Sequence, residues 1–467
     1  MISTFVNIFK VPELRNKVLF TIGMLLVFRI GHWIPIPGIN QEVLADMFRT
    51  QQESGSTFAK VASFVSIFSG GQLQRATIFG LGIMPYITAG IIFQLLGTAI
   101  PQLKKLQEEG PTGRQKIQEY TRYVTVLLCV FQGAGYLTWL QSNSAGLIHP
   151  SYYGNPLWWV MAVGTLTAGC VFLMWLGEQI DKHGIGNGAS MIIMAGIVAG
   201  MPQAIQFVIQ SFEPRDASKI GYMGVVLLCA GFVGVVAGSV LMTVAQRRIP
   251  VQQAKHTRGR KVFGGQKSYL PLRLNHGGVM PIVFASSLMI FPTIVFGQLE
   301  TWAASGSTGP TGWFYMVASF LNRNFNPSGF LYVLTYIGMV YFFSYFWITV
   351  QFNPEEMSKQ LKESGSFIPG LRPGPRTAEY LETVMTRITF VGAAFLAVVA
   401  VMPTVVNTGA NIDYTVTQFF GGTGLLIVVS VSMDFLQRVE ANLLMRNYQG
   451  FLGGDDGTAG PRMRGPR

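Results

Sequence analysis

The chain contains ten apolar stretches, each about long enough to cross the hydrocarbon core of a bilayer as a helix. Charged residues make up only 12% of its 467 residues, about half of their usual share in globular proteins. A soluble fold needs more polar surface than this composition supplies, so the pattern predicts an all-α integral membrane protein. The predicted membrane spans are 18–34, 76–99, 123–140, 156–177, 189–208, 220–245, 277–299, 330–350, 386–406 and 418–436.

The distribution of positive charge predicts how these spans are oriented. With ten spans, both termini lie on the same side of the membrane. That side, which comprises the two tails and loops 2, 4, 6 and 8, carries 26 of the Lys and Arg residues, whereas the odd-numbered loops carry six. The positive-inside rule therefore predicts that both termini are cytoplasmic.

An even division of the spans predicts two halves of five helices each. The second half would enter the membrane from the opposite side, so the halves could be pseudo-symmetric inverted repeats with the working path between them. The predicted organisation is an amphipathic cytoplasmic N-terminus at 1–17, a first half at 18–210, an external hinge loop at 211–219, a second half at 220–436 and a cytoplasmic tail at 437–467.

The sequence shows no pattern typical of an enzyme. It has no G-x-x-x-x-G-K-[ST] loop, its five His residues lack metal-ligand spacing, and its three Cys lie singly in apolar runs. We therefore expect no cofactor and no metal. Two alternatives are a secondary transporter for a small solute, which needs a charged midplane site, and a membrane-embedded enzyme, which needs facing His, Asp or Glu residues. The spans show neither pattern.

Two cytoplasmic loops differ from the apolar remainder. Loop 6, at 246–276, carries eight basic residues and no acid, which suits a topology signal, anionic lipid headgroups, nucleic-acid phosphates or an acidic protein. Loop 8, at 351–380, contains FIPGLRPGPR, which three prolines stiffen and which can turn at two glycines. Unless loop 8 is an ordinary linker, the two loops form one docking platform. The predicted docking residues are Arg247, Arg248, Lys255, Arg258, Arg260, Lys261, Lys267 and Arg372.

The segment 64–96 joins a short, glycine-punctuated apolar stretch to a full span. Its first part is too short to cross the membrane, and SGG breaks it before Arg75. Non-helical backbone at membrane depth is tolerated only where it is buried or lines a cavity. The pattern therefore favours a re-entrant element at 64–77, with an amphipathic helix at the outer interface as the alternative.

Six sequence stretches, which occur in the same order as in the SecY family, make the chain resemble that family, the central subunits of protein-conducting channels. The resemblance extends over nearly all of residues 5–445 and is closest to the bacterial branch. It implies a ten-helix clamshell with an hourglass pore between its halves, located in the bacterial cytoplasmic (inner) membrane. The stretches are FSGGQLQRATIFGLGIMPYITAGIIFQLL, GIGNGASMIIMAGIVAGMP, QRRIPVQQAK, PIVFASSLMIFP, FNPEEMSKQLKESGSFIPGLRPG and GGTGLLIVVSVSMD.

The resemblance also assigns a constriction ring in the pore. Val283 stands where the family more often has Ile, so the ring would be slightly wider. Branched apolar side chains offer a passing polypeptide no polar group to bind, and they exclude ions by dewetting when the ring is empty. The ring residues would be Ile83, Ile87, Ile193, Ile197, Val283 and Ile427.

A plug at 64–77 and a lateral gate complete the implied channel. The plug would close the pore from outside, and the lateral gate would give signal sequences and membrane segments access to lipid. Ser286, Ser287 and Phe291 would line the gate. The plug would include Phe68, Ser69, Gly70, Gly71, Gln72, Leu73 and Arg75.

The resemblance implies partners that supply the energy for transport. Loops 6 and 8, with Arg372 at the position of an important family Arg, would dock the motor ATPase SecA or the ribosome, whose rRNA phosphates suit loop 6. Small single-span subunits of the SecE and SecG type would complete the complex. The substrates would be signal sequences and unfolded polypeptides, and membrane lipids would surround the gate.

Overall fold

A computed structural model of the protein describes most of the chain. Within the described ranges the chain forms fourteen α-helices and five short β-strands. The described residues are 11–53, 70–71, 73–143, 146–149, 152, 154–210, 212, 221–253, 256–258, 261–263, 267–305, 313–325, 329–410 and 422–452. The helices are α1 (Pro12–Ile30), α2 (Gln41–Glu53), α3 (Met84–Ala99), α4 (Pro101–Glu108), α5 (Pro111–Asn143), α6 (Pro156–His183), α7 (Gly188–Gln210), α8 (Tyr222–Val244), α9 (Met280–Ser305), α10 (Trp313–Asn324), α11 (Phe330–Gln351), α12 (Pro354–Glu363), α13 (Pro375–Ala410) and α14 (Thr423–Leu452). The strands are β1 (Gln246–Gln253), β2 (His256–Arg258), β3 (Lys261–Phe263), β4 (Lys267–Arg273) and β5 (Ser366–Phe367).

Proline marks the start of many of these helices. The helices α1, α4, α5, α6, α12 and α13 all begin at a proline, whose fixed φ suits the first turn and whose missing N–H is not needed there. Two of them also have an asparagine N-cap: Asn155 accepts a hydrogen bond from the N–H of Leu157 at 3.0 Å, and Asn353 accepts one from the N–H of Glu355 at 3.2 Å.

Each of the ten predicted spans overlaps one long helix, namely α1, α3, α5 to α9, α11, α13 and α14, and residues 418–421 of the last span lie outside the described residues. By length and apolar composition alone, six helices in the described part could cross a membrane, or seven if α3 and α4, which meet at a bend of 106°, count as one. The prediction of a helical membrane protein is therefore confirmed. The helices α5 and α13 continue well beyond the predicted spans, because their polar ends are also helical.

The second span begins later than the sequence predicted. We predicted 76–99, but α3 starts at Met84 and residues 73–83 form successive turns and a short bridge. Pro85 lies in the first turn of α3, where proline is favoured. The preceding backbone instead pairs with the chain that follows α1, and this pairing replaces the helical hydrogen bonds that the prediction required.

The helices divide into two groups. Helices α1 to α7 contact mainly one another, and so do α8 to α14. The broadest contacts between the groups are made by α3 with α9 and by α7 with α14, and a smaller apolar cluster joins α1 to α14. The largest apolar cluster includes side chains from both groups, among them those of α3, α7, α9 and α14. We call this junction the seam between the two halves.

The basic loop 6 folds into a β-sheet, which the sequence analysis treated only as a loop. β1 pairs antiparallel with β4, from Gln246 opposite Arg273 to Gln252 opposite Lys267. β5, which belongs to loop 8, adds to the other edge of β1, so the strand order is β4-β1-β5. A separate antiparallel pair, β2 and β3, lies between β1 and β4 in the chain. Loops 6 and 8 are thus physically joined by backbone pairing.

Candidate functional site

The six predicted ring residues come together from four helices. The α3 and α7 segments each supply two of them, one helical turn apart and therefore on one face, and α9 and α14 supply one each. All six belong to the same buried cluster, and none is more than 8% exposed. The residues are Ile83, at the N-cap of α3, with Ile87, Ile193, Ile197, Val283 and Ile427.

These four helices are the ones that make the broadest contacts between the halves. The ring residues therefore lie at the seam, where a separation of the halves would part them. An apolar seam of this kind can open without leaving buried charges or hydrogen bonds unpaired. The role of the six residues as a constriction remains a prediction.

The described part of the plug packs directly against α7. Gly70 and Gly71 have φ of +67° and +81°. A Cβ on Gly70 would lie 3.0 Å from both the Cα and the carbonyl oxygen of Gly196, which lies on α7 between Ile193 and Ile197. The glycine turn thus reaches the backbone of a ring helix, where a side chain would not fit. The predicted plug residues Phe68, Ser69 and Gln72 lie outside the described residues.

The end of the plug contacts residues that the sequence analysis did not single out. Leu73 is buried, and its carbonyl oxygen accepts a hydrogen bond from the Tyr136 hydroxyl at 2.6 Å. The guanidinium carbon of Arg75 lies 5.8 Å from the centroid of the Trp33 ring. No local pattern indicates either contact, because the partners are far apart in the chain.

The predicted gate residues lie on α9, next to α3. Ser286 and Ser287 are buried, and both hydroxyls donate to the carbonyl oxygen of Val283, at 3.0 and 2.7 Å. Their polar groups are therefore satisfied within the helix. Phe291 lies on the same helix, and its side chain is not among those that the structure describes. Their role in a lateral gate remains a prediction.

A part-buried ion pair joins α5 to α6. The Arg122 guanidinium donates two hydrogen bonds to the Glu178 carboxylate, at 2.8 and 2.6 Å. The Glu178 side chain is 8% exposed and that of Arg122 is 39% exposed. This bidentate geometry is the strong form of the Arg–carboxylate contact. No local sequence pattern indicates this pair, since the two residues are separated by 56 positions.

The sheet of loops 6 and 8 is fixed to the second half by an apolar face. Ile249 and Val251 alternate with exposed residues along β1, as expected for a strand with one buried face. They pack in a cluster with Leu272, Ile368 and Leu381, the last of which lies on α13. We call this sheet, together with loop 8, the platform.

Four of the eight predicted docking residues have described side chains, and all four are exposed on the platform. The loop around Arg372 turns at Gly370 and Gly374, with φ of +86° and +125°, as the sequence predicted. The Thr377 hydroxyl donates to the carbonyl oxygen of Arg372 at 3.0 Å. The exposed docking residues are Arg247, Arg248, Lys267 and Arg372. Lys255 and Arg260 lie outside the described residues, and the side chains of Arg258 and Lys261 are outside the description.

A cavity of about 310 Å³ lies at the end of the seam that is nearer to the platform. Residues of α7, α9 and α14 line it, together with residues that follow β4. Its lining includes the amides of Asn187, Asn275 and Gln437 as well as His276. Burial lowers the pKa of His276, and the positive charge of Arg273 lowers it further. A lowered pKa favours the neutral imidazole, so the charged groups of the lining are Arg273, Asp434 and Arg438.

These features define a class of protein: a multi-pass helical membrane protein whose two halves meet at an apolar seam, with a cavity of mixed polar and apolar lining beside it. The sequence model of the SecY family matches residues 77–436. The chain is 42% identical over 445 residues to the protein translocase subunit SecY of Escherichia coli (strain K12), covering 94% of each chain. The corresponding protein of Vibrio cholerae is 41% identical over 441 residues, again covering 94% of each. The chain therefore belongs to the SecY family.

Solved structures share the fold. A structure described as that of a protein conducting channel has a TM-score of 0.60 and 18% sequence identity, and it covers 94% of this chain and 95% of that one. Sec61 in the canine ribosome–channel complex has a TM-score of 0.56 and 17% identity over the same shares. At these identities the similarity supports the architecture of two helical halves.

Proposed function

We propose that this chain is the central subunit of a protein-conducting channel. It moves unfolded secretory polypeptides across the bacterial cytoplasmic (inner) membrane and releases membrane-protein segments sideways into lipid. The observation that carries this proposal is the apolar cluster at the seam, which holds all six predicted ring residues in a member of the SecY family.

The chemistry of the seam suits this substrate. An unfolded polypeptide presents every type of side chain, so a pore that bound particular groups would hold some sequences and delay transport. Isoleucine and valine offer only dispersion contacts, which are weak individually and nonspecific. When no substrate is present, the same side chains close on one another and exclude water and ions.

The plug and the gate act at this seam. The turn at Gly70 and Gly71, which packs on α7, belongs to a plug that closes the pore from the outer side. Separation of α3 from α9 opens the lateral gate to lipid. The predicted hinge loop at 211–219, between the first half at 18–210 and the second half at 220–436, lies outside the described residues except for Phe212. Both termini, including the tail at 437–467, are cytoplasmic.

The platform docks the partners that drive transport. Its exposed cations suit the acidic surface of a motor ATPase of the SecA type or the rRNA phosphates of a ribosome. The backbone pairing of β1 with β5 supports a joint role of loops 6 and 8. Small subunits of the SecE and SecG type complete the complex in the membrane.

Site-specific photocrosslinking tests the proposed pore. A photoreactive residue at Ile87, in a complex that holds a preprotein stalled partway through, is expected to crosslink to the mature part of that preprotein. The matched control is the same probe at Phe131, a residue of α5 whose side chain is 67% exposed and which we expect to face lipid. No crosslink at Ile87, Ile193 or Ile427 in an assembled complex would mean that the ring is misplaced or that the substrate is not a polypeptide, and the transporter alternative would then come first.

Charge reversal tests the proposed platform. Arg258→Glu combined with Arg260→Glu, and separately Arg372→Glu, is expected to weaken binding of the motor ATPase or the ribosome by about tenfold or more at low salt, and by less at high salt because ions screen the attraction. Binding is measured by flotation with proteoliposomes. Arg323→Glu on α10, which is exposed and predicted to lie on the opposite side, is the control. Unchanged binding by both platform variants would rule out docking through these cations.

A further inference from the structure

The end of the plug is held by a hydrogen bond that the proposed function does not require. The Tyr136 hydroxyl, on α5, donates to the carbonyl oxygen of Leu73 at 2.6 Å. The Tyr136 ring stacks on Trp139, with 6.5 Å between the ring centroids and 22° between the planes, so the hydroxyl is presented by a ring of fixed orientation. A side chain of the first half is thus hydrogen-bonded directly to the plug backbone.

A second contact holds the next part of the same segment. The guanidinium of Arg75 lies over the face of Trp33, 5.8 Å from the ring centroid, a distance at which a cation is attracted to the aromatic face. Trp33 follows the end of α1 and is 71% exposed, so its aromatic face is not needed to fill a core. Packing of the core therefore does not require Trp33 at this position, whereas the contact with Arg75 does.

The backbone beyond Arg75 is anchored to the same region. The N–H of Ile36 donates to the carbonyl oxygen of Ala76 at 2.9 Å, and the N–H of Ile78 donates to that of Ile34 at 3.0 Å. Phe79 follows, stacked between Phe28 and Phe172 with centroid distances of 6.3 and 5.9 Å. These contacts fix the chain from Ala76 onward, so that Leu73 and Arg75 lie between this anchored stretch and the glycine turn that packs on α7.

We propose that Tyr136 and Trp33 are positioning residues that hold the plug end at residues 73–75 against the first half and thereby stabilise the closed channel, an inference that rests on the proposed function. In the proposed opening the glycine turn leaves Gly196, and residues 73–75 move with it. The Tyr136 hydrogen bond and the Trp33 contact oppose that movement, and both are lost if residues 73–75 shift with the plug.

The expected effects follow from the strength of each contact. Tyr136→Phe removes one hydrogen bond and leaves the ring and its packing in place, so the closed-to-open ratio should fall about two- to tenfold. Trp33→Ala removes a partly exposed cation–π contact, and the ratio should fall about two- to fivefold. Trp33→Phe keeps an aromatic face and should retain much of the wild-type ratio.

The test is the resting ion flux of the complete complex, with its partner subunits, in proteoliposomes. Tyr136→Phe and Trp33→Ala are expected to raise the flux, and Arg75→Ala combined with Trp33→Ala should raise it no more than either change alone, because both remove the same contact. Tyr222→Phe and Trp313→Ala, whose side chains are 69% and 78% exposed, are matched controls that should leave the flux unchanged. Thermal unfolding of all variants should match the wild type.

Two results would overturn the inference, and they are separable from a failure of the proposed function. If Tyr136→Phe and Trp33→Ala gave the flux of their controls while the wild type translocated a preprotein, the channel would stand and the positioning role would be wrong. If the flux rose together with a large fall in melting temperature, the residues would be merely structural. If the wild-type complex translocated no preprotein, the proposed function would fail, and the inference with it.

Discussion

Replacing Gly188 with alanine is expected to force α6 and α7 apart and to destabilise the protein by about 3 kcal/mol, the upper end of the usual range for overpacking. A Cβ at this position would overlap the carbonyl oxygen of Gly177 and lie 2.8 Å from its Cα. A backbone carbonyl cannot rotate aside as a side chain can, so the helices themselves would have to shift. The shift would also disturb the hydrogen bond from the N–H of Gly188 to the Asp181 carboxylate, now 2.8 Å long.

Thermal unfolding of the purified complex measures this effect. Gly164→Ala is the matched control, because Gly164 lies on α6 and a Cβ there would have no atom within 4 Å. Its melting temperature should equal that of the wild type or rise slightly, since alanine favours a helix over glycine. Equal melting temperatures for the two variants would show that α6 and α7 adapt to the added methyl group and that their close approach is not required.

Replacing Arg122 with alanine is expected to cost about 3 kcal/mol of stability, because it leaves the Glu178 carboxylate buried without its partner. This value is at the low end of the range for broken buried pairs, since the Arg122 side chain is 39% exposed and water can reach part of the site. Arg122→Lys should recover only part of the loss, because a lysine cannot make the bidentate contact.

The ion pair between Asp434 and Arg438 supplies the control for this prediction. It has a similar distance, 2.8 Å, but both side chains are more than 40% exposed and lie one turn apart on α14. Arg438→Ala should therefore change the stability by at most about 1 kcal/mol. A loss for Arg122→Ala no larger than that for Arg438→Ala, measured by the same thermal unfolding, would show that burial of Glu178 has no consequence for stability.

The helical architecture could be predicted from the sequence because its signal is local. Each span is a run of apolar residues in one stretch of chain, and each predicted run overlaps one helix of the described part of the chain. The start of α3 was placed too early because the apolar composition continues through residues 76–83, which are turns rather than helix. Pro85 was the available signal for the true start.

The strands of loop 6 also have a local sequence pattern, but the interpretation of this loop rested on its charge alone. Ile249 and Val251 alternate with exposed positions on β1, and Leu270 and Leu272 do so on β4. This two-residue period is typical of a strand with one buried face. The pairing of β1 with β5 had no such signal, because β5 consists of two residues in a different loop.

The long-range contacts could not be predicted from one sequence. Arg122 and Glu178 are 56 residues apart, and Tyr136 and Leu73 are 63 apart, so only the packing of the helices brings them together. The ring residues posed a different difficulty: an isoleucine in an apolar span has no chemical feature that separates a pore position from a packing position. Their assignment came from the resemblance to a family, and their common burial at the seam supports it.

The attachment of the platform has a mechanical consequence. The sheet packs on α13 and therefore moves with the second half, whereas the broadest contacts between the halves are limited to α3 with α9 and α7 with α14. A load applied to the platform acts on one half at a distance from these contacts, so it produces a torque as well as a push. If one of the two helix pairs holds while the other gives way, the platform works as a lever arm, and a small displacement of the platform becomes a rotation of one half relative to the other.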